Sequence, residues 1–192
     1  MNNASKKMLK GRIEIAFSDV SPPQDNNIVK QQSWAELDLE RSLVVNIFQG
    51  KDWKNISVEE LVAAGSMALT LFTNEAFIFF LPAYMNAALY SYEKFDDSIA
   101  IDAFINKLIP PKRLLLNNRD ASNDELLRIK RFEALSKLTN EQKKCVRLFL
   151  EFMDKEHSDD FFDKDYSFGE IEDSGYILPS PALALELYWG QI

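Results

Sequence analysis

The sequence has very few of the residues on which disulfide frameworks, metal centres and tight-turn folds depend. It contains 1 histidine and 1 cysteine among 192 residues, together with 6 glycines and 7 prolines. The single cysteine, Cys145, excludes an intramolecular disulfide. Because a zinc site needs several His or Cys ligands, that class of metal site is excluded as well. So few glycines and prolines favour long helices over a β-sandwich, which needs a turn about every ten residues.

Basic residues are outnumbered by acidic ones. The chain has 22 Lys and Arg against 30 Asp and Glu, which gives a net charge of -8, and its isoelectric point is near 4.8. Phosphate contacts need a basic surface, so we expect no direct nucleic-acid binding. The charge is compatible with a basic protein partner. Because 46% of the residues are hydrophobic, a large core is available, and the length suits one domain spanning residues 1–192.

The sequence also lacks an apolar run long enough to cross a membrane. The most apolar stretch is LFTNEAFIFFLPAYMNAALY, residues 71–90, and Asn86 lies inside its apolar part. Since a membrane span needs about 20 consecutive apolar residues, we predict that this stretch is a buried helical spine and that the protein has no membrane partner. Pro82 predicts either a kink or a division into two short helices.

A cleavable signal peptide is not expected at the N-terminus. Arg12 and Glu14 interrupt the only apolar stretch that follows the first lysines. A signal peptide needs a continuous apolar region there, so the expected location is the cytoplasm.

Helical periodicity runs through most of the chain and predicts an all-α, compact, single-domain bundle. The first helix is expected at about residues 5–19, before the break SPPQDNN. Capping boxes predict helix starts at Ser57 and Thr139, and Thr73 is expected to cap the apolar spine. A second helix, ending before Gly50, is expected to bury an apolar stripe formed by Leu39, Leu43, Val44, Ile47 and Phe48.

The C-terminal region changes in composition. Residues 151–178 form an acidic and aromatic loop segment, in which ten acidic residues face only two lysines between 151 and 173. Acidic composition alone is typical of disorder, but the interleaved aromatic residues predict docking against the core. A short final helix is expected over 179–190. The preceding region, 112–147, holds ten basic residues, which either pair with the acidic segment or leave one charged pole for a partner.

No catalytic motif is present, and we expect a protein that is not an enzyme. His157 lies beside Ser158 without the glycine elbow of a serine hydrolase. Cys145 falls on an apolar helix stripe, where a small core residue is expected rather than a nucleophile. Any two carboxylates could converge in space, so a hydrolase that uses carboxylates or a metal stays an alternative.

An incomplete calcium-loop pattern lies in the acidic segment. DKDYSFGEIEDS supplies Asp163, Asp165 and Ser167 at the first odd positions of such a loop. The glycine comes one position late, at Gly169, and Ser174 stands where a bidentate glutamate is needed. We therefore expect no metal and no cofactor.

One part of the sequence carries a family resemblance. LTLFTNEAFIFFLPAYMNAAL, preceded by GKDWKNISVEEL and followed by a helical half that ends in LALELYW, resembles a family of small bacterial proteins of unknown function. The family pattern includes an aromatic-Leu-Pro-Ala-aromatic-Met box. The residues that fit are Gly50, Trp53, Glu75, Ala76, Leu81, Pro82, Ala83, Tyr84 and Met85. The resemblance spans most of 13–150 and leaves the acidic segment outside.

The family itself brings no established activity, so the expected function rests on size, charge and architecture. Proteins similar in size, charge and architecture include immunity proteins, which are encoded beside secreted bacterial toxins. We therefore expect a non-enzymatic immunity protein that neutralises a cognate toxin through that toxin's basic surface. The expected contact residues are Asp159, Asp160, Phe161, Phe162, Asp163, Asp165, Tyr166, Glu75 and Tyr84. A structural or regulatory homo-oligomer is the alternative.

Overall fold

The computed structural model describes residues 3–24, 27–30, 38–96, 100–111, 123–161 and 180–192. Within these ranges the secondary structure is α-helix with short 3-10 turns, and the β-structure is an isolated bridge between Val29 and Phe72. The predicted all-α class is confirmed. No helix of the described ranges is long and apolar enough to span a membrane.

Helices of widely different length make up these ranges. In chain order they are α1 (Asn3–Ala16), α2 (Asp38–Phe48), α3 (Val58–Leu71), α4 (Asn74–Tyr90), α5 (Tyr92–Asp96), α6 (Ala100–Leu108), α7 (Asn123–Ser136), α8 (Asn140–His157) and α9 (Pro181–Leu187). Short 3-10 helices lie at Trp53–Asn55, Ser158–Asp160 and Trp189–Gln191.

The chain divides into two compact units. An N-terminal unit contains Asn3–Phe104 and a C-terminal unit contains Ile105–Ile192. The division falls inside α6. The single-domain organisation over 1–192 stays a prediction.

The N-terminal unit is built around α4, the predicted apolar spine. Phe80 of α4 packs against Phe48 of α2 with ring centroids 4.8 Å apart. Phe72, which follows α3, contacts the same Phe48 ring edge-on at 4.8 Å. All three rings are fully buried. The most apolar stretch of the sequence is therefore the core of this unit, as predicted.

The break in the apolar helices lies at a glycine rather than at the proline. α4 continues through Pro82 from Asn74 to Tyr90, so of the two predicted alternatives, a kink or a division into two short helices, the division does not occur. In α3, by contrast, Gly65 has φ 54° and ψ -156°, which interrupts the helical backbone. Side chains with a Cβ rarely adopt this conformation, whereas glycine does so without steric cost.

Predicted helix caps are confirmed. Ser57 accepts a hydrogen bond from the Glu60 backbone N–H, and the Glu60 carboxylate accepts one from the Ser57 N–H in return. Thr139 and Gln142 form the same reciprocal box at the start of α8. Thr73 accepts from the Ala76 N–H at the start of α4. These caps satisfy backbone donors that have no partner within the helix.

The apolar stripe of α2 is only partly buried. Val44 and Phe48 are fully buried, as predicted. Leu39 is 85% exposed and Leu43 is 42% exposed, so the prediction that both pack inward is wrong. An apolar stripe identifies the face of a helix that favours burial, but it does not supply the neighbouring element that covers that face.

The C-terminal unit is organised by α8. Its predicted inward stripe is buried along its whole length and consists of Cys145, Val146, Phe149, Leu150 and Met153. Cys145 is thus a core residue, as expected. α9 and the 3-10 turn that follows it pack on this helix, and Trp189 of that turn is fully buried.

Candidate functional site

The first candidate contact surface lies at the C-terminal end of α8. The helix ends at His157 and passes into the 3-10 turn Ser158–Asp160. Asp159 and Asp160 are exposed there. The His157 Nδ1 atom lies 3.1 Å from a carboxylate oxygen of Asp160, which orients that side chain.

Phe161 anchors the start of the acidic segment. Its ring is only 5% exposed, and its backbone N–H donates to the Ser158 carbonyl over 3.3 Å. The ring of Phe161 is therefore directed inward, while Asp159 and Asp160 are exposed; docking of the whole segment 151–178 stays a prediction. A buried ring cannot meet a partner, so the expectation that Phe161 is a contact residue is wrong.

The rest of the predicted acidic surface lies outside the described residues. This applies to Phe162, Asp163, Asp165 and Tyr166, and to the incomplete calcium-loop pattern. Of the seven residues predicted between 159 and 166, the structure thus places three: Asp159, Asp160 and Phe161.

Glu75 has a structural role that the sequence did not indicate. Its carboxylate accepts a hydrogen bond from the side-chain amide of Asn27, 48 positions away in sequence. Beside it, the Thr73 hydroxyl donates to the Asn27 carbonyl over 2.6 Å. The Thr73 N–H also donates to the Ile28 carbonyl over 3.1 Å. Glu75 is exposed, but it helps to hold residues 27–30 against the turn between α3 and α4.

Tyr84 is not available to a partner. Its side chain is fully buried, and its ring stacks on Phe104 with centroids 5.4 Å apart. Burial raises the pKa of the phenol well above its ordinary range, because the charged form would lose its hydration. The prediction that Tyr84 contacts a partner is therefore wrong, and the residue belongs to the core.

The basic residues of 112–147 make several internal contacts. Arg147 donates through Nε to the Glu151 carboxylate over 2.7 Å and through a terminal nitrogen to the Ile192 carbonyl over 2.8 Å. The contact between Arg147 and Glu151 joins the basic region to the acidic segment, which is one of the two predicted alternatives. Arg131 is 4% exposed, and burial lowers its pKa to about 10. Arg128 donates to the side chain of Asn106 over 3.4 Å.

No metal centre is found in the part of the chain that the structure describes. There, His, Cys, Asp and Glu side chains do not form a group of three or more that could hold a metal ion.

The structure shows a pocket that the sequence did not predict. It has a volume of about 440 Å³ and lies entirely within the N-terminal unit. Its residues come from the break after α1, from the turn after α2 and from α4. They are Ser18, Val20, Pro22, Pro23, Ile28, Phe48, Gly50, Lys51, Asp52, Trp53, Lys54, Phe79 and Phe80. The sequence features that could have indicated this pocket are Pro22, Pro23 and Trp53, which lie in short links between helices.

The charged residues that line the pocket, Lys51, Asp52 and Lys54, differ in the partners that they contact. Lys51 forms an ion pair with Glu60, and this hydrogen bond is the main reason why the pKa of Glu60 lies below its ordinary value. The Lys54 ammonium lies 5.3 Å from the centroid of the Trp53 ring. The Asp52 carboxylate accepts from the Lys54 backbone N–H over 2.8 Å and so caps the 3-10 turn.

The fold and these surfaces define an all-helical protein with an exposed acidic turn and an aromatic-lined pocket. By sequence, the chain belongs to a family described as a family of unknown function (DUF6714), whose profile matches residues 5–192. The match includes the acidic segment, so the expectation that this segment lies outside the family is wrong. Comparisons with curated proteins and with solved structures gave no match.

Proposed function

We propose that this chain is a non-enzymatic binding protein, and specifically an immunity protein that neutralises a cognate secreted toxin. The observation that carries the proposal is the arrangement at the end of α8. Phe161 is buried, while Asp159 and Asp160 are exposed on a short turn fixed to the longest described helix. A carboxylate that is already held in place, as Asp160 is by His157, loses little conformational entropy when it meets a partner.

Overall charge supports a basic partner surface. The chain has a net charge of -8, and ten acidic residues lie between 151 and 173. Complementary charge speeds the encounter of two proteins, and this effect weakens as salt screens it. The aromatic-Leu-Pro-Ala-aromatic-Met box enters this proposal as part of the scaffold, because Pro82 and Tyr84 are buried in the core.

The direct test is protection of cells. The product of the neighbouring gene would be expressed with and without this chain, and growth would be measured. Immunity requires that a toxic neighbour becomes harmless only when this chain is present. A neighbour that is not toxic, or one that kills equally in both cultures, argues against the proposal.

A second test locates the contact. The double variant Asp159→Lys, Asp160→Lys should weaken binding to the purified toxin by about tenfold and reduce its salt dependence, because two close charges are reversed. The matched control is Glu133→Lys, Glu141→Lys, since both of these acids are exposed and Glu141 lies at the opposite end of α8 from the turn. Equal weakening by both double variants would mean that only net charge matters and that the α8 turn is not the contact site.

One observation favours homo-oligomerisation as a second candidate. Leu39 and Leu43, one helical turn apart on α2, are 85% and 42% exposed. Exposed apolar residues on one helix face are typical of contact surfaces. A light-scattering mass well above 22.1 kDa, returned to that value by Leu39→Glu, would support this candidate. A mass of one chain at all concentrations would argue against it.

A further inference from the structure

We infer that the outer face of α1 is a self-association surface, on which a second copy of this chain packs its own α1 in antiparallel orientation. This goes beyond the proposed function, because it assigns a partner and a helix that the toxin proposal does not involve. It also differs from the homo-oligomer considered above, whose contact surface lies on α2.

Apolar residues lie on two opposite faces of α1. Leu9, Ile13 and Phe17 follow one another at intervals of four residues and are buried in the N-terminal unit. On the opposite face Met8 is 59% exposed and Ile15 is 77% exposed. Because successive residues of a helix are turned by about 100°, these two side chains lie only about 20° apart around the helix axis. Two large apolar side chains therefore point together into solvent.

Small residues alternate with the large ones on this exposed face. Ala4, Met8, Gly11 and Ile15 repeat at intervals of four, three and four residues, which is the spacing of a coiled-coil seam. A Cβ added at Gly11 would meet no neighbouring atom within 4 Å, so the space beside this glycine is open. Large side chains of one helix fit beside small residues of another, and this seam supplies both kinds. It is therefore complementary to a copy of itself.

Antiparallel pairing uses this alternation fully. In that orientation Met8 faces Gly11 of the second copy, and Ile15 faces Ala4 of the second copy, so every layer contains a large and a small residue. Each layer occurs twice, as a two-fold axis requires, and the contact closes as a dimer. Parallel pairing in register would place Gly11 against Gly11 and would leave a gap at that layer.

Charges beside the seam select the same orientation. Lys7 and Arg12 are exposed on its two flanks, and Glu14 is partly exposed beside Lys7. Parallel pairing brings Lys7 opposite Arg12 of the second copy, which is repulsive. Antiparallel pairing brings Lys7 opposite Glu14 of the second copy, and the symmetry forms this ion pair twice. Glu14 also lies 3.8 Å from Lys10 of its own helix, an exposed pair that contributes little.

The length of the seam predicts a weak dimer. α1 has 14 residues, and a pair of such helices buries less than the roughly 1,600 Å² of a typical stable complex. We expect the mass measured by sedimentation velocity to rise from 22.1 kDa toward that of a dimer between about 5 and about 500 μM of the purified chain. A mass of one chain over this whole range overturns the inference.

Ile15→Glu tests the assignment to α1. It places a charge inside the seam and should weaken association by about tenfold or more. Circular dichroism should be unchanged, because this side chain is exposed. Leu39→Glu is the matched control, since it introduces the same charge at an exposed leucine of α2, and it should associate like the wild type. Unchanged association of Ile15→Glu, or an equal loss in both variants, overturns the assignment.

A charge exchange tests the pairing of Lys7 with Glu14. Lys7→Glu and Glu14→Lys should each weaken association by about tenfold, because each replaces the two ion pairs of the dimer by two repulsive contacts. The double variant Lys7→Glu, Glu14→Lys restores both pairs with reversed signs and should associate about as well as the wild type. An equal mixture of the two single variants should form a mixed dimer for the same reason. A double variant that associates no better than the single variants contradicts this pairing and overturns the inference.

Cysteine cross-linking tests the orientation. Ala4→Cys chains mixed with Ile15→Cys chains should form an intermolecular disulfide on oxidation, because these positions face each other in the antiparallel dimer. Ala4→Cys alone should not cross-link, since the two copies of position 4 would lie about 16 Å apart along the helix axis. The unmodified chain, whose Cys145 is buried, is the control. Cross-linking of Ala4→Cys to itself overturns the antiparallel arrangement.

Failure of the α1 assignment is distinguishable from failure of the toxin proposal. Association is measured on the purified chain alone, whereas protection from a toxin is read from growth and depends on the turn at Asp159 and Asp160.

Discussion

The indole Nε1 of Trp189 donates a hydrogen bond to the backbone carbonyl of Leu108 over 2.7 Å, and the bond is buried. It joins the last described turn of the C-terminal unit to the end of α6, 81 positions earlier in the sequence. Buried backbone acceptors are costly when they lose their partner, so this bond should contribute substantially to the stability of the unit.

We predict that Trp189→Phe lowers the free energy of unfolding by about 2 to 4 kcal/mol, through the unsatisfied carbonyl of Leu108 and the space left by the smaller ring. Urea unfolding followed by circular dichroism measures this. Tyr188→Phe is the control, because Tyr188 contacts the same Phe132 ring and phenylalanine keeps that contact. An equal loss in both variants would show that general packing, and not the hydrogen bond, dominates.

Alanine substitutions at Gly65 and at Gly11 are expected to change the stability in opposite directions, so Gly11→Ala is the control for Gly65→Ala. Nothing lies within 4 Å of a Cβ added at this position, so the cost of Gly65→Ala comes from its backbone conformation of φ 54° and ψ -156°. We expect Gly65→Ala to lower the free energy of unfolding by about 1 to 3 kcal/mol. Gly11, inside α1, also has free space around an added Cβ, and there alanine should stabilise by about 0.5 to 1 kcal/mol.

Thermal unfolding of both glycine variants checks the prediction. A gain of stability in Gly65→Ala would mean that the helix is regular at this position and that the break in α3 is not intrinsic to the folded chain.

Helix caps and buried stripes could be predicted from the sequence because they depend on residues three or four positions apart. Ser57 with Glu60 and the stripe around Cys145 are of this kind, and both were placed correctly. The break at Gly65 was missed because a glycine inside an apolar helical pattern is tolerated in most helices. The sequence alone does not show which glycine adopts a positive φ.

The sites were harder to predict because they depend on contacts between distant segments. The pocket brings Pro23 close to Trp53 and Phe79, which are far apart in sequence. The hydrogen bond between Glu75 and Asn27 joins positions 48 residues apart, so no local pattern indicates it, and the partner contact of Glu75 stays a prediction. Tyr84 was expected to contact a partner although it lies in the predicted buried spine, and α4 is in fact buried on nearly every side.

The ion pair between Lys51 and Glu60 predicts a specific dependence of stability on pH. The hydrogen bond from Lys51, and then that from the Ser57 backbone, lower the pKa of Glu60 below its ordinary value of 4.5. A carboxyl group whose pKa is lower in the folded chain stabilises that state fully above the unfolded pKa. This contribution is lost as the pH falls through the folded pKa.

We therefore expect Glu60→Gln to be less stable than the wild type at about pH 7, with the difference shrinking as the pH falls below about 4. Glutamine can keep the capping box, as Gln142 does at the start of α8. Urea unfolding across this pH range measures the difference. Lys51→Gln should reduce the same pH dependence, and a difference between wild type and Glu60→Gln that does not change with pH would contradict the assignment.

Among the described residues the Thr73 hydroxyl makes two hydrogen bonds and the Thr139 hydroxyl makes one. We expect this difference to appear in the stability of the alanine variants. Thr73 accepts the Ala76 N–H as a helix cap and also donates to the Asn27 carbonyl over 2.6 Å. Thr139 acts in the capping box of α8. Replacement of a cap residue by alanine costs about 1 kcal/mol, and a lost hydrogen bond costs about 1 kcal/mol more. We expect Thr73→Ala to cost about twice as much as Thr139→Ala.

Thr73→Ser separates the hydroxyl from the methyl group. Serine can make both hydrogen bonds, so it should retain most of the stability that alanine loses, and urea unfolding of the three variants gives the comparison. Hydrogen exchange adds a local measurement, because the Lys30 N–H donates to the Leu71 carbonyl in the same contact between residues 27–30 and the α3–α4 turn. Thr73→Ala should speed exchange of that amide, whereas Thr139→Ala should not. Unchanged Lys30 exchange in Thr73→Ala would show that the other backbone hydrogen bonds hold this segment without the threonine.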